Sequence, residues 1–268
     1  MDQIRLTYNQ GIDMQTQAAP MTTIVKPIIN KHTIRCQDCR IKQLCLPVML
    51  AESEIAHLDT IVHRGRPINK GQHLIQAGDT FSGVYAIRSG SIKTYTVSVD
   101  GLEQITGFYL PGEIIGFDAI SSGIYPGFAK ALETSAVCEI PFTRLEQLAA
   151  EIPGLQRQIF RTMSDEIVKD QELMLQLNKK SAEQRFGSFL VNLSFRFGRR
   201  GLSSSRFRLP MARSDISNYL GLAVETISRL IAQLQNDGLV KIDKREVEIL
   251  DMEALSNLAG TNCHNTPC

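Results

Sequence analysis

The sequence predicts an α+β chain: a small roll of short antiparallel strands, then one long helix, then a winged helix-turn-helix. Three observations carry that prediction. Glycines punctuate the chain at Gly65, Gly71, Gly78, Gly83, Gly90, Gly101, Gly107, Gly112 and Gly116, with β-branched and aromatic runs between them. That is the pattern of short strands closing into a barrel or roll. Apolar residues then recur at coiled-coil spacing after Pro153. Finally, two helical stretches flank Gly221-Leu222-Ala223, and two strand-like stretches follow them. At 268 residues, with 43% hydrophobic and 21% charged residues, the chain has the length and composition for two globular domains.

Residues 1–30 show no firm period and read as a loose arm. Three thiols follow within ten residues, Cys36, Cys39 and Cys45, among polar residues and two arginines. Burial as small hydrophobes does not account for such a setting, so they read as ligands. Two residues between Cys36 and Cys39 let consecutive sulfurs turn to one centre, and five more before Cys45 let the loop wrap a body larger than one ion. Soft thiolates select zinc, Cu(I) or an iron–sulfur cluster, and spacing leaves these three open. The start of the chain carries no apolar run of signal-peptide kind, and no later run is long enough for a membrane span. A reducing cytoplasm is therefore expected, where six cysteines point to metal or redox chemistry rather than disulfides. Cys263 and Cys268 lie in a polar tail, 261–268, which reads as a frayed terminus, a second metal site being the alternative.

The loop and roll together span 31–152. Within them 47–61 reads as a short helix with Leu50, Ile55, Leu58 and Ile61 on one side. Tyr95, Val97 and Val99 alternate with hydroxyl residues before a turn at Asp100-Gly101, a hairpin signal. The strands should end near Phe142. Proline suits a first helical turn, so a long helix is expected over 153–180. Its seam is Ile159, Met163, Ile167, Met174 and Leu177, the spacing of a two-helix coiled coil. Asp170 interrupts it. Either Asp170 turns to solvent, or two copies face each other across a dimer and hold it near dissociation.

The remainder, 181–260, reads as the winged helix. A helix over 181–197 ends at Gly198, and 203–209 reads as a strand. Helices over 213–220 and 224–235 bracket the turn, and strands at 239–242 and 247–250 form the wing. From Lys179 to Arg213 nine basic residues stand against one acid, Glu183, a local basic field in a chain whose net charge is only +1. On the second helix Glu225, Ser228 and Arg229 share a face. Arginine can pair with guanine and glutamate can accept from cytosine, so this face suits a major groove. An intrahelical Glu225–Arg229 pair is the competing reading, and the position after a basic segment containing Arg213 favours the groove.

With roll, helix and winged helix in that order, the chain resembles the CRP/FNR superfamily of bacterial transcription regulators over nearly its whole length. Val224-Glu225-Thr226-Ile227-Ser228-Arg229-Leu230 is similar to that superfamily's recognition-helix signature. Cys36, Cys39 and Cys45, with Cys138 in Thr134-Ser135-Ala136-Val137-Cys138-Glu139-Ile140-Pro141, resemble the fumarate and nitrate reduction branch, FNR. The resemblance implies a cyclic-nucleotide-binding-like jelly roll and one oxygen-labile [4Fe–4S] cluster per subunit, with Cys138 as the fourth ligand. It implies a cytoplasmic homodimer that is not an enzyme. Under anoxia the dimer would bind double-stranded palindromic DNA of the form TTGAT-N4-ATCAA and activate or repress genes of anaerobic metabolism. Oxygen would convert the cluster and release the DNA. Leu44 occupies a position that the family uses to shield the cluster. Asp100, Gly101 and Glu103 match a surface that contacts RNA polymerase, with a merely solvated hairpin as the alternative. Arg40 departs from the family's small polar residue, which bears on oxygen sensitivity. Cyclic-nucleotide binders of the superfamily carry a glutamate after the glycine at Gly116 and an arginine–serine pair further on. This chain has Phe117, and then Gly127-Phe128-Ala129, so no cyclic nucleotide is expected. Two other readings compete: a structural zinc site on the three cysteines with Cys138 or His32, and an iron–sulfur electron-transfer protein.

Overall fold

The computed structural model describes residues 34–260, so the arm at 1–30, His32, Cys263 and Cys268 lie outside the described residues. The roll comprises α1 (Glu52–Ile61) and the strands β1 (His63–Arg64), β2 (His73–Ile75), β3 (Gly83–Ser89), β4 (Ile92–Val97), β5 (Glu103–Tyr109), β6 (Ile114–Ile115), β7 (Phe128–Ala131) and β8 (Ala136–Pro141). They form two antiparallel four-stranded sheets, ordered β1-β8-β3-β6 and β2-β7-β4-β5. Ile87 and Ile115 from one sheet and Ile92, Ala129 and Ala131 from the other fill the space between them. That is the two-sheet solution to burying alternate residues of short strands.

Helices α2 (Phe142–Glu151) and α3 (Pro153–Lys179) leave the roll, and α3 begins at its proline as the missing N–H of that residue favours. Helix α4 (Ala182–Gly198) starts at a reciprocal cap: Ser181 Oγ accepts from the Gln184 amide at 3.2 Å, and Gln184 Oε1 accepts from the Ser181 amide at 3.0 Å. Then come β9 (Arg206–Arg208), α5 (Arg213–Leu220), α6 (Val224–Asn236), β10 (Val240–Asp243), β11 (Glu246–Ile249) and α7 (Met252–Ala259). Gly221 closes α5 at φ +62°, a left-handed cap that a side chain would strain, and so sets the turn into α6. Strand β9 pairs with β11, making the wing three-stranded. Among the described residues no helix is long and apolar enough to cross a membrane.

The roll and the C-terminal helices share one core. Tyr95, Ile105, Phe108, Leu110 and Leu132 cluster with Phe186, Phe189, Leu190, Ile216, Leu220 and Ile227. Polar contacts lock the same face. Glu113 accepts from Arg196 Nη2 at 2.6 Å and from Arg200 Nη2 at 2.7 Å, and the same two arginines donate to the carbonyls of Phe108 and Pro111. Asn218 covers the outer edge of β5, taking the Ile105 amide at 2.6 Å and giving to the Glu103 carbonyl at 2.7 Å, which satisfies backbone groups that an edge strand leaves open.

The structure refines several expectations. The helix expected over 47–61 is two pieces, a 3-10 turn at Leu46–Met49 and then α1, because Ala51 is extended and its amide is capped by Glu54 Oε2 at 2.7 Å. The hairpin at Asp100-Gly101 joins β4 to β5, with a register shift between Thr94 and Tyr95; Tyr95 is buried, while Val97 and Val99 near the tip are exposed. The strand expected over 203–209 is only three residues long. The basic field is divided: Lys179, Arg199, Arg206, Arg208 and Arg213 are exposed, and Lys180, Arg185, Arg196 and Arg200 are half-buried. Arg196 and Arg200 hold Glu113, Arg185 donates to the carbonyls of Leu177, Lys180 and Leu220, and Arg206 and Arg208 pair with Glu248 and Glu246.

Burial raises the pKa of Glu113, but the charges of Arg196 and Arg200 outweigh it and hold the carboxyl down to about 2. The folded value lies below the unfolded one, so the stability it contributes is complete above the ordinary carboxylate range and is lost as the pH falls toward about 2. Glu113→Gln should cost about 3–5 kcal/mol in urea unfolding at pH 7, since it leaves two buried guanidiniums without their anion. The variant's acid unfolding should also be shallower than the parent's below about pH 5.

Candidate functional site

Tight turns build the cysteine loop. The Cys39 amide bonds the Cys36 carbonyl at 3.3 Å, the Lys42 amide bonds the Cys39 carbonyl at 3.1 Å, and 3-10 turns at Lys42–Leu44 and Leu46–Met49 follow. Leu46, directly after Cys45, is fully buried and draws the loop onto the roll beside Leu58, Val84 and Ile140. Cys36, Cys39, Cys45 and Cys138 line one cavity of about 30 Å³, with Ile41, Leu46, Pro47 and Arg64 on its walls. No three His, Cys, Asp or Glu side chains among the described residues are grouped closely enough to hold a single metal ion. The soft thiolate donor set suits zinc, Cu(I) or an iron–sulfur cluster.

Burial pushes all three affected thiols up: Cys36 and Cys138 above the ordinary range, and Cys45 to about 12. Neutral buried thiols are poor nucleophiles, so these are not catalytic cysteines, and a metal must displace their protons to bind.

Two residues that the sequence reading does not single out brace the pocket, Arg64 on its wall and Asp59 behind it. Asp59 Oδ1 accepts the Cys36 amide at 2.8 Å and also the guanidinium of Arg64, whose Nη2 donates to Cys36 Sγ at 3.1 Å. Arg64 is in turn the cross-strand neighbour of Cys138 in the β1–β8 pair. Leu44 does not line the cavity. It packs on the turn at Gly112, where a β-carbon would stand 2.6 Å from that of Leu44, and Ile41 and Leu46 cover the thiols instead. Arg40 is exposed and faces away from the cavity walls, into a cleft between the roll and the wing.

The loop also touches the long helix. Gly154 lies in the first turn of α3, and a β-carbon there would sit a tight 3.3 Å from Leu50 Cδ2, so the glycine lets the two approach closely. Leu155 and Ile159 enter the same core as Leu46, with Cys36, Cys45, Cys138 and Met163 packed against it. Ile159, expected on the dimer seam, is thus an internal residue at 9% exposure. The exposed apolar stripe runs through Phe160, Ile167 and Met174 at seven-residue spacing, with Phe160 at 61% exposure, and Val168 and Leu175 flank it. Asp170 is exposed beside this stripe, and Leu177 is half-buried. Stepping back from 163, 167, 170, 174 and 177 by the coiled-coil rule gives 160, so a stricter register finds Phe160.

Glu225, Ser228 and Arg229 are exposed on α6, with Thr226 half-buried between them and Arg213 exposed at the first residue of α5. No ion pair joins Glu225 to Arg229 among the described residues: Arg229 donates to Thr226 Oγ1 at 3.3 Å, and Ser228 donates to the Val224 carbonyl at 3.2 Å. Both charged groups are therefore open to a groove. At the hairpin tip Asp100 and Gly101 are exposed, whereas Glu103 is engaged by Lys93 at 2.6 Å, and Lys93 also reaches Asp215 on α5 at 3.0 Å.

The interior of the roll opens toward α3 as a cleft of about 400 Å³. Asp118, Glu166 and Asp170 are among its lining residues, and it has no lysine or arginine.

Comparison with known proteins fits this arrangement. A family model for a Crp-like helix-turn-helix domain matches residues 184–258, and one for a cyclic nucleotide-binding domain matches 66–151. The chain is 53% identical over 227 residues to the fumarate and nitrate reduction regulatory protein of Escherichia coli strain K12, covering 85% of this chain and 91% of that protein. It is 53% identical over 232 residues to the anaerobic regulatory protein of Pasteurella multocida, covering 87% and 85%. Among solved structures, FixK2 from Bradyrhizobium japonicum matches with a TM-score of 0.64 at 28% identity, over 72% of this chain and 94% of that one. A CooA mutant from Carboxydothermus hydrogenoformans matches with a TM-score of 0.61 at 16% identity, over 75% and 88%, a likeness of fold alone.

Two truncations separate core from seam. Ile159→Ala should lower the stability of the single chain by about 2–5 kcal/mol. Phe160→Ala should change that stability by no more than about 0.5 kcal/mol and weaken self-association instead. Urea unfolding and sedimentation equilibrium check the pair.

Proposed function

The chain belongs to the CRP/FNR family, in the branch of the fumarate and nitrate reduction regulatory proteins, and from that premise we propose that it is an oxygen-responsive regulator built on a [4Fe–4S] cluster, one per subunit. It is a DNA-binding transcription regulator, not an enzyme. The observation that carries the finer reading is the convergence of Cys36, Cys39, Cys45 and Cys138 on one cavity.

In this reading 31–152 senses, 153–180 pairs two subunits and 181–260 holds DNA. Cys36, Cys39 and Cys45 anchor the loop, and Cys138 anchors the strand beneath it. The cluster, when bound, supplies an oxygen-labile cross-link between them. Leu46 and Leu50 transmit the position of the loop to Leu155 and Gly154 at the foot of α3. The exposed stripe at Phe160, Ile167 and Met174 supports pairing along α3, since so many contiguous apolar side chains seldom face water in a monomer. Burial lifts the Asp170 carboxyl above its ordinary pKa, and Lys169 opposes this. Desolvating it further against its own copy would cost more, which keeps pairing near its threshold. Two paired chains would set their α6 helices about one DNA turn apart, ~34 Å, on a palindrome. There Arg229, Glu225 and Ser228 read bases, while Thr226 and Arg213 face the backbone. The tip at Asp100 and Gly101 is free to meet RNA polymerase.

The cleft of the roll supports the absence of a cyclic-nucleotide effector, because a phosphate there would meet three carboxylates and no cation. Calorimetry with cAMP should give no binding in the micromolar range.

Anaerobically purified protein should contain iron and sulfide in equal amounts and absorb visible light, which a zinc site does not. Cys138→Ser should abolish both the colour and the air-sensitive gel shift on the palindrome, and unchanged operator occupancy in that variant would refute the cluster reading. With the cluster intact, Arg229→Ala should cost about 1–3 kcal/mol on the palindrome and much less on random DNA.

A further inference from the structure

Arg64 is a cation in the wrong place for an ordinary core residue. It is 7% exposed, on the wall of the thiol cavity, and among the described residues its carboxylate partner is Asp59. Nη2 donates to Cys36 Sγ at 3.1 Å, Nη1 reaches the Val62 carbonyl at 3.4 Å, and Nε is buried with no partner among the described residues. Asp59 compensates the charge, and Nε is the N–H left over; Lys42 and Arg88 also line the cavity, but Arg64 is the cation that donates to a cysteine sulfur there. The pair touches both halves of the cysteine set. The carboxylate oxygen that takes Arg64 also takes the Cys36 amide, and the backbone of Arg64 stands opposite Cys138.

We propose that Asp59 and Arg64 are positioning residues of the cluster site: a clasp that holds Cys36 over the strand of Cys138 before any metal arrives, and whose guanidinium neutralises the four-thiolate group afterwards. The second half rests on the function proposed above. The first half does not. Four thiolates around an iron–sulfur core carry net negative charge, and a buried cation with a spare N–H is the complement to that charge. A neighbouring hydrogen-bond donor to a ligating sulfur also adjusts the reduction potential of such a group.

The test compares the parent with Asp59→Asn, Arg64→Lys and Arg64→Met. In the metal-free chain the Cys36 amide should exchange with solvent at least about tenfold faster in Asp59→Asn and Arg64→Met. After anaerobic reconstitution with iron and sulfide, Arg64→Met should lose iron to a chelator about 10–100-fold more readily than the parent. Arg64→Lys, which keeps the charge, should recover most of the retention but not the parent's reduction potential. If Arg64→Met does not fold, the isosteric Asp59→Asn and the charge-conserving lysine carry both measurements. Unchanged exchange in folded variants overturns the clasp, and equal iron retention overturns the counter-charge. A parent that takes up no iron would sink the cluster reading and the counter-charge with it, while amide exchange still decides the clasp.

Discussion

One apolar core ties the cysteine loop to the long helix. Leu46 sits one residue after Cys45 and is fully buried with Leu58, Val84, Ile140 and, from the first turns of α3, Leu155 and Ile159. Fully burying a leucine is worth about 1.5–3 kcal/mol, so the loop has an anchor on the roll that does not depend on any ligand. Because interiors are close-packed, a shift of the loop is felt by the side chains it touches. Leu50 against Gly154 is the nearest such contact to the start of the helix. Whatever alters the loop therefore acts on the foot of α3 directly, without needing a route through the far side of the roll.

A second constraint acts at the other end of the roll. Glu113 sits between Arg196 and Arg200, Asn218 caps β5, and Lys93 reaches Asp215, so the helix-turn-helix is docked by charge and backbone pairing as well as by its shared core. Two arginines of this segment, Arg196 and Arg200, are thereby drawn inward, while Arg199, Arg206, Arg208 and Arg213 remain exposed. Arg196 and Arg200 hold the C-terminal helices to the roll through Glu113, while Glu225, Ser228 and Arg229 stay exposed on α6. Positive charge in a sequence window is thus a poor guide to which cations stay exposed.

Between these two ends α3 divides its own faces. Leu155 and Ile159 belong to the roll, while Phe160, Ile167 and Met174 remain outside. The helix can satisfy both because its first turns lie on the roll and its later turns run past it, so the inner seam ends where the outer one takes over. Asp170 lies on the outer part, where a partner would decide how much water it keeps.

Much of this was readable from local pattern. The start of α3 at Pro153, helix α5 and the wing follow from caps, glycine turns and apolar period, all of which act over a few residues. The clustered Cys36, Cys39 and Cys45 are legible for the same reason, because their spacing is itself the signal. Cys138 carries no local mark and was found only through resemblance to a family. Asp59, Arg64 and Glu113 could not be found at all from composition or spacing. Glu113 and Arg196 are 83 residues apart in sequence, and Arg64 is 28 from the sulfur it touches. Such pairs leave no periodic trace, because only the closing of the sheets brings them together, and it is that closure which decides which charges are buried and which thiols share a cavity.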